Sequence, residues 1–462
     1  MTAANDANAA HAAMHAYADR TIFRDSDTWE MSRRPFHRSL RPQALHEVDL
    51  ARPLTPDTFM NYESLAAQRV LTCVYEQDLV FLPEQPYDGW LKDFEEFYSP
   101  ETRELAGQFR GQLEQYCFGY LEQEIEVSPG WTREDFTTYL DDKCRPSDAV
   151  PAWEKAIRES PDPKRAARMW LVQFAPDFLS ESSPMMKNVL GNYGPVQSEW
   201  FKILIDEYGY GVHPKKHSTL FENTLRSVGL NTETHYYWQY YLASALAANN
   251  YFHYLGSEHR HFFRYVGALI YTETTLVEFC RRAAAVLNDV FEGECDVEYF
   301  TEHLHIDDHH GRMALNDVAV PLIEKFGPEI IPDLVRGIQG YDYVMNNFDS
   351  QFSIQISWMD EQEQLFGLHK DIIEKVQAAE NVPLANLDEH FNELSNSHCH
   401  NQDELCHIIS GQMYFFSGLD SKLILNPGDG VVIRNRRQHG ADILSDGCKY
   451  QIYTIGDVNQ WV

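Results

Sequence analysis

The sequence predicts a chain of two characters, a long, mainly α-helical region followed by a small all-β domain. Apolar residues recur at helical spacing from about residue 60 to about residue 340. After about residue 385 the pattern becomes short alternating runs separated by turn residues. With 462 residues, 44% of them hydrophobic, the chain has room for two or three domains of roughly 100–200 residues each and for large cores.

The N-terminal stretch MTAANDANAAHAAMHAYADR has neither a basic start nor an apolar centre, so it reads as no secretory leader and as a segment that frays. Leu105, Phe109, Leu113, Cys117 and Leu121 then repeat every fourth residue, with Glu and Arg between them. Thr132-Arg-Glu-Asp135 resembles a capping box ahead of Phe136 and Leu140, with Asp in place of the usual Glu or Gln. Later helical runs are Glu233–Leu255, Phe262–Phe291 and Val297–Lys325, and the charged Met359–Ala379 reads as a last helix or linker. In the β region, Cys406–Phe416 and Gly430–Arg434 alternate, and Ser417-Gly418 and Asn426-Pro-Gly-Asp-Gly430 are turns.

Composition removes several function classes. The net charge of −32 repels nucleic acid and anionic membrane, so neither is expected as a partner. An acidic field attracts a cationic small substrate, although solubility alone is the plainer reason for it. Cys73, Cys117, Cys144, Cys280, Cys295, Cys399, Cys406 and Cys448 form no CxxC pair, which leaves zinc knuckles and thioredoxin-like chemistry without support. Scattered thiols fit a reducing compartment, and the cytoplasm is the expected location. No run of about 18 apolar residues spans a membrane.

Tyr299–Val320 carries metal-type side chains. At about 100° per residue, with His303 at about 0°, Asp307 falls at about 40° and His310 at about 340°. Phe300, Ala314 and Val318 share that side, while Thr301, His305, Asp308, His309, Arg312 and Asn316 lie opposite. A carboxylate and two imidazoles pointing inward are costly unless paired or metal-bound. Residues of these types one turn apart are how helical proteins hold iron. The plain alternative is core histidines hydrogen-bonded beside an ion pair, and this helix alone does not separate the two. Two ExxH motifs, Glu302-x-x-His305 and Glu258-x-x-His261, suggest a ferritin-like site, but Glu302 and His305 fall toward the polar face. Further ligands must come from other helices. Glu273 interrupts an apolar, aromatic helix, and Glu181 follows the apolar run Met169–Leu179. Glu207 and His217 flank Tyr-Gly-Tyr-Gly-Val-His-Pro; an unbroken helix would hold them about 15 Å apart, but the glycines and Pro214 allow a bend that brings both to one site.

The β region carries a second motif, His398-Cys-His400 and Glu404, then Gly428-Asp-Gly430, then His439. Residues two apart in a strand face one side, so His398 and His400 can grip one ion while Cys399 faces away, and His439 can arrive from a partner strand. HxHxxxE, a glycine turn and a later His form the metal signature of cupins. Three neutral imidazoles on Fe(II) leave positions open for oxygen and a chelating substrate. Glu404 is either a fourth ligand or a residue that orients one.

Taken together, these residues resemble the heme-oxygenase-like di-iron oxidases fused to a C-terminal cupin that form N-nitrosoureas. The resemblance runs from about Arg41 to the end and includes Ala167–Leu190, Trp200–Phe221, Tyr299–Met313 and Glu404–Gly411. It implies a heme-oxygenase-like helical bundle and a cupin β-barrel behind a helical dimerisation region, placed here at 131–345, 346–462 (with a linker helix) and 1–130. It implies two irons held by Glu181, Glu207, His217, Glu273, His303, Asp307 and His310, and one iron held by His398, His400 and His439 with Glu404 beside it. The implied reaction is N-hydroxylation of an N-methylated arginine guanidine, using O2 and an external reductant from an unidentified electron donor, then oxidative rearrangement to an N-nitrosourea by a homodimer. The first forty residues and Asp141–Asp162 diverge and carry no chemistry. Charge supports the ligand set, because four carboxylates balance two Fe(II) ions. Two rival readings are a hydroxylase with a structural or sensory cupin, and a non-catalytic iron-binding protein. The intact histidine trio weighs against the first, and the asymmetric ligand set against the second.

Overall fold

Helical spacing through the first part and two-residue alternation after it build the expected order, seen in a computed structural model that describes residues 3–379, 383–421 and 423–461. The side chains of residues 3–6 and of His305, Asp307, Asp308, Glu363 and Gln364 lie outside the described residues. Helices run from Ala3–Ala18 to Gln362–Ala378, and strands from Ala385 to Gly456. Among the described residues no helix is long and apolar enough to cross a membrane.

The N-terminal stretch expected to fray is instead a docked helix, Ala3–Ala18. Ala10, Ala13, Met14, Tyr17 and Ala18 are buried, at the spacing of one helical face. Tyr17 stacks on Phe23 and meets Phe109 edge-on, so its partners come from later in the chain. Phe109, Leu113 and Cys117 form the buried stripe of Pro100–Phe118, which Ser99 caps by accepting from the Thr102 N–H at 3.1 Å. The capping box is present: Thr132 Oγ1 accepts from Asp135 N–H at 3.1 Å and Asp135 Oδ2 from Thr132 N–H at 2.9 Å.

The run expected as one helix over Glu233–Leu255 is broken, giving a turn at Trp238–Tyr240 and then Ala243–Ser257. His235 takes a left-handed conformation with φ 58°, and its Nε2 meets the buried Glu76 carboxylate at 2.7 Å. A tertiary hydrogen bond thus accompanies the break in this segment, the His235 imidazole being held neutral by burial and the nearby Arg38 charge. Glu298–Met313 continues through one π-helical stretch, Ala314–Ala319, into Val320–Phe326. Ile331–Asp360 passes through position 345 and contains Met359, and the last helix begins only at Gln362.

The β part is two four-stranded antiparallel sheets. In order the strands are β1 Ala385–His390, β2 Leu394–His398, β3 Asp403–Ser410, β4 Met413–Phe416, β5 Leu423–Leu425, β6 Gly430–Ile433, β7 His439–Ile443 and β8 Gly447–Gly456. One sheet runs β1-β8-β3-β6 and the other β2-β7-β4-β5, the arrangement expected of a cupin. Leu405, Ile408, Met413, Phe415, Val432 and Ile443 fill the space between them, and Ile372 and Val376 of the last helix join that core.

Buried hydrogen bonds join the β part to the helical one. Arg69 Nη1 and Nη2 donate to Ser397 O and Oγ at 2.8 and 2.6 Å. Gln355 Nε2 donates to the carbonyls of Ser417 and Gln438 at 2.6 and 2.8 Å. Asn396 Oδ1 accepts from Ser39 and Gln239 at 2.6 and 2.8 Å.

Candidate metal centres

Five helix ends and faces bring the helical centre together. Glu181 follows Pro163–Phe178, Glu207 ends Pro195–Glu207, His217 begins His217–Ser227, Glu273 lies within Phe262–Val290, and His303 and His310 lie on Glu298–Met313. The expected bend between Glu207 and His217 is present. Gly209, Tyr210 and Gly211 adopt φ of 57°, 54° and 76°. A Cβ at Gly209 would sit 2.6 Å from Lys216 N, so only glycine fits there. As a result His217 Nδ1 lies 2.8 Å from Glu207 Oε2. On the helix with the metal-type face, His303 and His310 are buried and His309 is exposed. Asp307 shares that helix, but its side chain lies outside the described residues, as does that of His305.

The side chains form two groups with Glu207 in common. Glu181, Glu207, His217 and His303 converge, as do Glu207, Glu273 and His310, each group with its ligand atoms within 4.8 Å of one another. Glu207 Oε1 and Glu273 Oε2 each lie 3.4 Å from His310 Nδ1, and Glu181 Oε1 lies 3.5 Å from His303 Nε2. Glu207 therefore faces both groups. Burial alone would raise its carboxyl, but the His217 and His310 imidazoles hold it well below the usual carboxylate range. Burial raises the Glu273 carboxyl, which His310 offsets only in part. Burial acts to lower the His310 imidazole, yet the Glu207 and Glu273 carboxylates outweigh it and push it up to about 12.

The backbone and outer residues set which nitrogen faces inward. His303 Nδ1–H donates to the Tyr299 carbonyl at 2.6 Å, leaving Nε2 for the centre. His310 Nε2–H donates to Asp206 Oδ2 at 3.0 Å, which turns Nδ1 inward. The Tyr299 hydroxyl donates to Glu181 Oε1 at 2.7 Å.

The second centre lies between β2 and β7. His398 and His439 are direct cross-strand partners. His400 was expected on the same strand as His398, but β2 ends at His398 and His400 lies just beyond it. The three rings nevertheless converge, with centroids 4.6 to 5.0 Å apart. His398 Nδ1–H donates to Asn396 O at 2.8 Å and His439 Nδ1–H to Arg437 O at 3.0 Å, so both present Nε2. Burial, and then the charge of Arg41, pushes the His400 imidazole down to about 4; burial holds His398 and His439 well below the usual range. All three imidazoles are therefore neutral at pH 7 and free to act as metal donors. Glu404 Oε2 sits 3.3 Å from His400 Nε2, and burial raises its carboxyl to about 7.

Sequence reasoning missed several participants. Asp206 adjoins Glu207, and Tyr299 lies one turn before His303, so the signal for both was adjacency to a candidate ligand. Tyr62 gave no signal: from the N-terminal helices it stacks on His400, centroids 6.3 Å apart at 8°. Arg41 also bears on the second centre, and its buried Nε has no hydrogen-bond partner among the described residues.

The donors fit iron. Glu181 Oε2 is buried with no hydrogen bond among the described residues, an expensive state that a cation relieves. Mixed carboxylate and imidazole donors suit Fe(II), and three imidazoles suit a mononuclear site. A helical domain with paired carboxylate–histidine groups defines a class, the iron-containing redox enzymes of heme-oxygenase-like fold, and a family model of that description matches residues 168–340. The chain is also similar to the nitrosourea synthase of Streptomyces achromogenes subsp. streptozoticus, 54% identical over 444 residues, 96% of this chain and 94% of that protein. It belongs to the nitrosourea synthase family and is an iron-dependent enzyme of that type.

Proposed function

We propose that the chain N-hydroxylates the guanidine of an arginine derivative, N-omega-methyl-L-arginine, at the helical centre and rearranges the product at the cupin centre to an N-nitrosourea. One observation carries this reading: a chain 54% identical to a nitrosourea synthase pairs two carboxylate–histidine groups that share Glu207 with a separate three-histidine group. Two irons are held by Glu181, Glu207, His217, Glu273, His303, Asp307 and His310. A third is held by His398, His400 and His439, with Glu404 orienting His400.

Bound iron supplies the activation of dioxygen, each hydroxylation drawing two electrons and two protons from an external donor and releasing one water. The chain's own residues position and exclude. Asp206 and the Tyr299 carbonyl fix the orientation of His310 and His303. Phe174, Phe178, Phe252, Tyr265, Phe279 and Phe348 wall the helical cavity. Hydroxylation lowers the basicity of the guanidine and adds a chelating N–O pair, which suits the open positions left by three histidines. The net charge of −32 favours arrival of a cationic substrate. A homodimer formed through the N-terminal helices in the cytoplasm completes the reading.

Aerobic incubation with Fe(II), a reductant and a panel of arginine derivatives, followed by mass spectrometry, tests it. Hydroxylated guanidines and a nitrosourea are the expected products. Iron uptake without oxygenation of any member would replace this reading with non-catalytic iron binding.

A further inference from the structure

We propose that Asp177 is the counter-ion that seats the substrate's guanidinium in the helical cavity. The inference deepens, and rests on, the reading of the helical centre as the hydroxylation site. Asp177 lies in the last turn of Pro163–Phe178, one turn before Glu181. It lines a cavity of about 180 Å³ that also reaches Glu181, Glu207, Glu273 and His303. A molecule held at Asp177 therefore lies in the space that opens onto the metal centre.

Its carboxylate lacks a partner. Among the described residues none gives the Asp177 side chain a hydrogen bond or an ion pair, and no Lys or Arg lines the cavity. Burial, and then the charge of Glu181, pushes its carboxyl up to about 7. Its charge also reaches the phenols of Tyr265, Tyr299 and Tyr341, which burial raises first and this neighbour raises further. An isolated carboxylate within protein is costly and calls for a cation.

The metal centre does not supply that cation. Four carboxylates of the cluster, with Asp307 counted among them, already match the charge of two Fe(II) ions. Among the described residues, the groups whose ligand atoms converge do not include Asp177. One carboxyl is left over in the cavity, lined by rings rather than by Lys or Arg, and a bound cation would hold it ionised. Phe174, Phe178, Tyr265, Phe279, Tyr341 and Phe348 line the same space. Aromatic faces around a single carboxylate suit a flat, weakly hydrated cation such as guanidinium better than a compact ammonium. A carboxylate also grips a guanidinium through two parallel hydrogen bonds, which fixes which nitrogen turns toward the irons.

Calorimetric titration of the iron-loaded, oxygen-free enzyme tests this, comparing N-omega-methylarginine with its neutral urea counterpart, N-omega-methylcitrulline. The wild type is expected to prefer the cation by at least tenfold. Asp177→Asn is expected to lose that preference, to bind the neutral ligand within about twofold of wild type, and to keep its iron content. Its unfolding midpoint should be equal or higher, because an unpaired charge is gone. Asp177→Ser serves as a second neutral variant in case the amide misfolds. Equal affinity of wild type for cation and urea, or a retained cation preference in both variants, would overturn the inference. Turnover is scored separately by mass spectrometry. An enzyme that oxygenates guanidines yet shows no role for Asp177 in binding loses only this inference, and one that binds guanidinium through Asp177 but oxygenates nothing loses only the functional reading.

Discussion

Gly337→Ala tests how closely two helices must approach to hold the helical cavity in shape. Gly337 lies where Ile331–Asp360 crosses Phe262–Val290. A Cβ there would run into the Arg264 carbonyl oxygen and come within 2.7 Å of its carbon. Gly267 faces back across the same crossing, and its Cβ would meet the Leu334 carbonyl in the same way. Ordinary carbon contacts sit at about 3.5–4.0 Å, so the helices must part by about 1 Å. Overpacking a core costs about 1–3 kcal/mol. The obstacle here is backbone, which cannot rotate aside, so the upper end applies, about 3 kcal/mol. In a domain of this size each kcal/mol shifts the midpoint by about 2–4 °C, so thermal unfolding should move down by roughly 6–12 °C. Glu273 rides on one of the separated helices and Tyr341 and Phe348 on the other, so iron uptake at the helical centre should fall while the cupin centre loads normally. Circular dichroism melts and anaerobic Fe(II) titration read the two effects. A midpoint within about 2 °C of wild type, with full loading, would refute the claim that this contact sets the cavity.

Three further outcomes follow from other parts of the structure. His303→Ala should lose helical iron and all hydroxylation, whereas His309→Ala on the exposed side of the same helix should retain more than about half of both, read by elemental analysis and product mass; comparable losses would show that the two faces are wrongly assigned. His398→Ala should accumulate the hydroxylated guanidine and form no nitroso product, so untouched starting material, with helical iron present, would contradict the order of the two steps. His253 stacks on Tyr75 at 5.5 Å, and burial, then Lys187 and Arg110, lower its imidazole from 6.5 to about 3. Above about pH 6.5 it is neutral whether folded or not. Below that, only the unfolded chain takes the proton, so stability falls toward about pH 3 by up to about 1.4 kcal/mol per pH unit. His253→Phe should flatten urea-denaturation stability against pH by that amount, and an unchanged slope would exclude His253 as the source.

Local signals carried the parts of the fold that depend on neighbouring residues. Helical spacing and the Thr132 box need only a few adjacent positions, and both elements are present. The Gly-Tyr-Gly bend that joins Glu207 to His217 was legible because glycine marks left-handed backbone. Features set by distant partners were not. The Ala-rich N-terminus looks weak until Phe23 and Phe109 are placed against Tyr17. The break at His235 depends on Glu76, 159 residues away. Nothing in the sequence singled out Asp177, because what distinguishes it is the cavity wall around it. The clustering of the cupin histidines was legible from spacing, but the Tyr62 ring over them was not, since pattern within a strand says nothing of a helix from the other end of the chain.

The seam between the chain's two ends has a consequence for synthesis. Arg69 and Ser397, which hydrogen-bond within it, are 328 residues apart. Leu394 N–H likewise donates to Asp27 O at 2.9 Å, and Tyr62 N–H to Asn401 Oδ1 at 3.0 Å. At about 5–20 residues per second, the ribosome leaves the first partner waiting roughly 15–65 s for the second. The helices emerge first, and the strands that pack on them leave the tunnel later. Splitting the gene ahead of the strands would turn that closure from an intramolecular step into a meeting of two separate proteins, and the three-histidine pocket would lack its Tyr62 wall until they met.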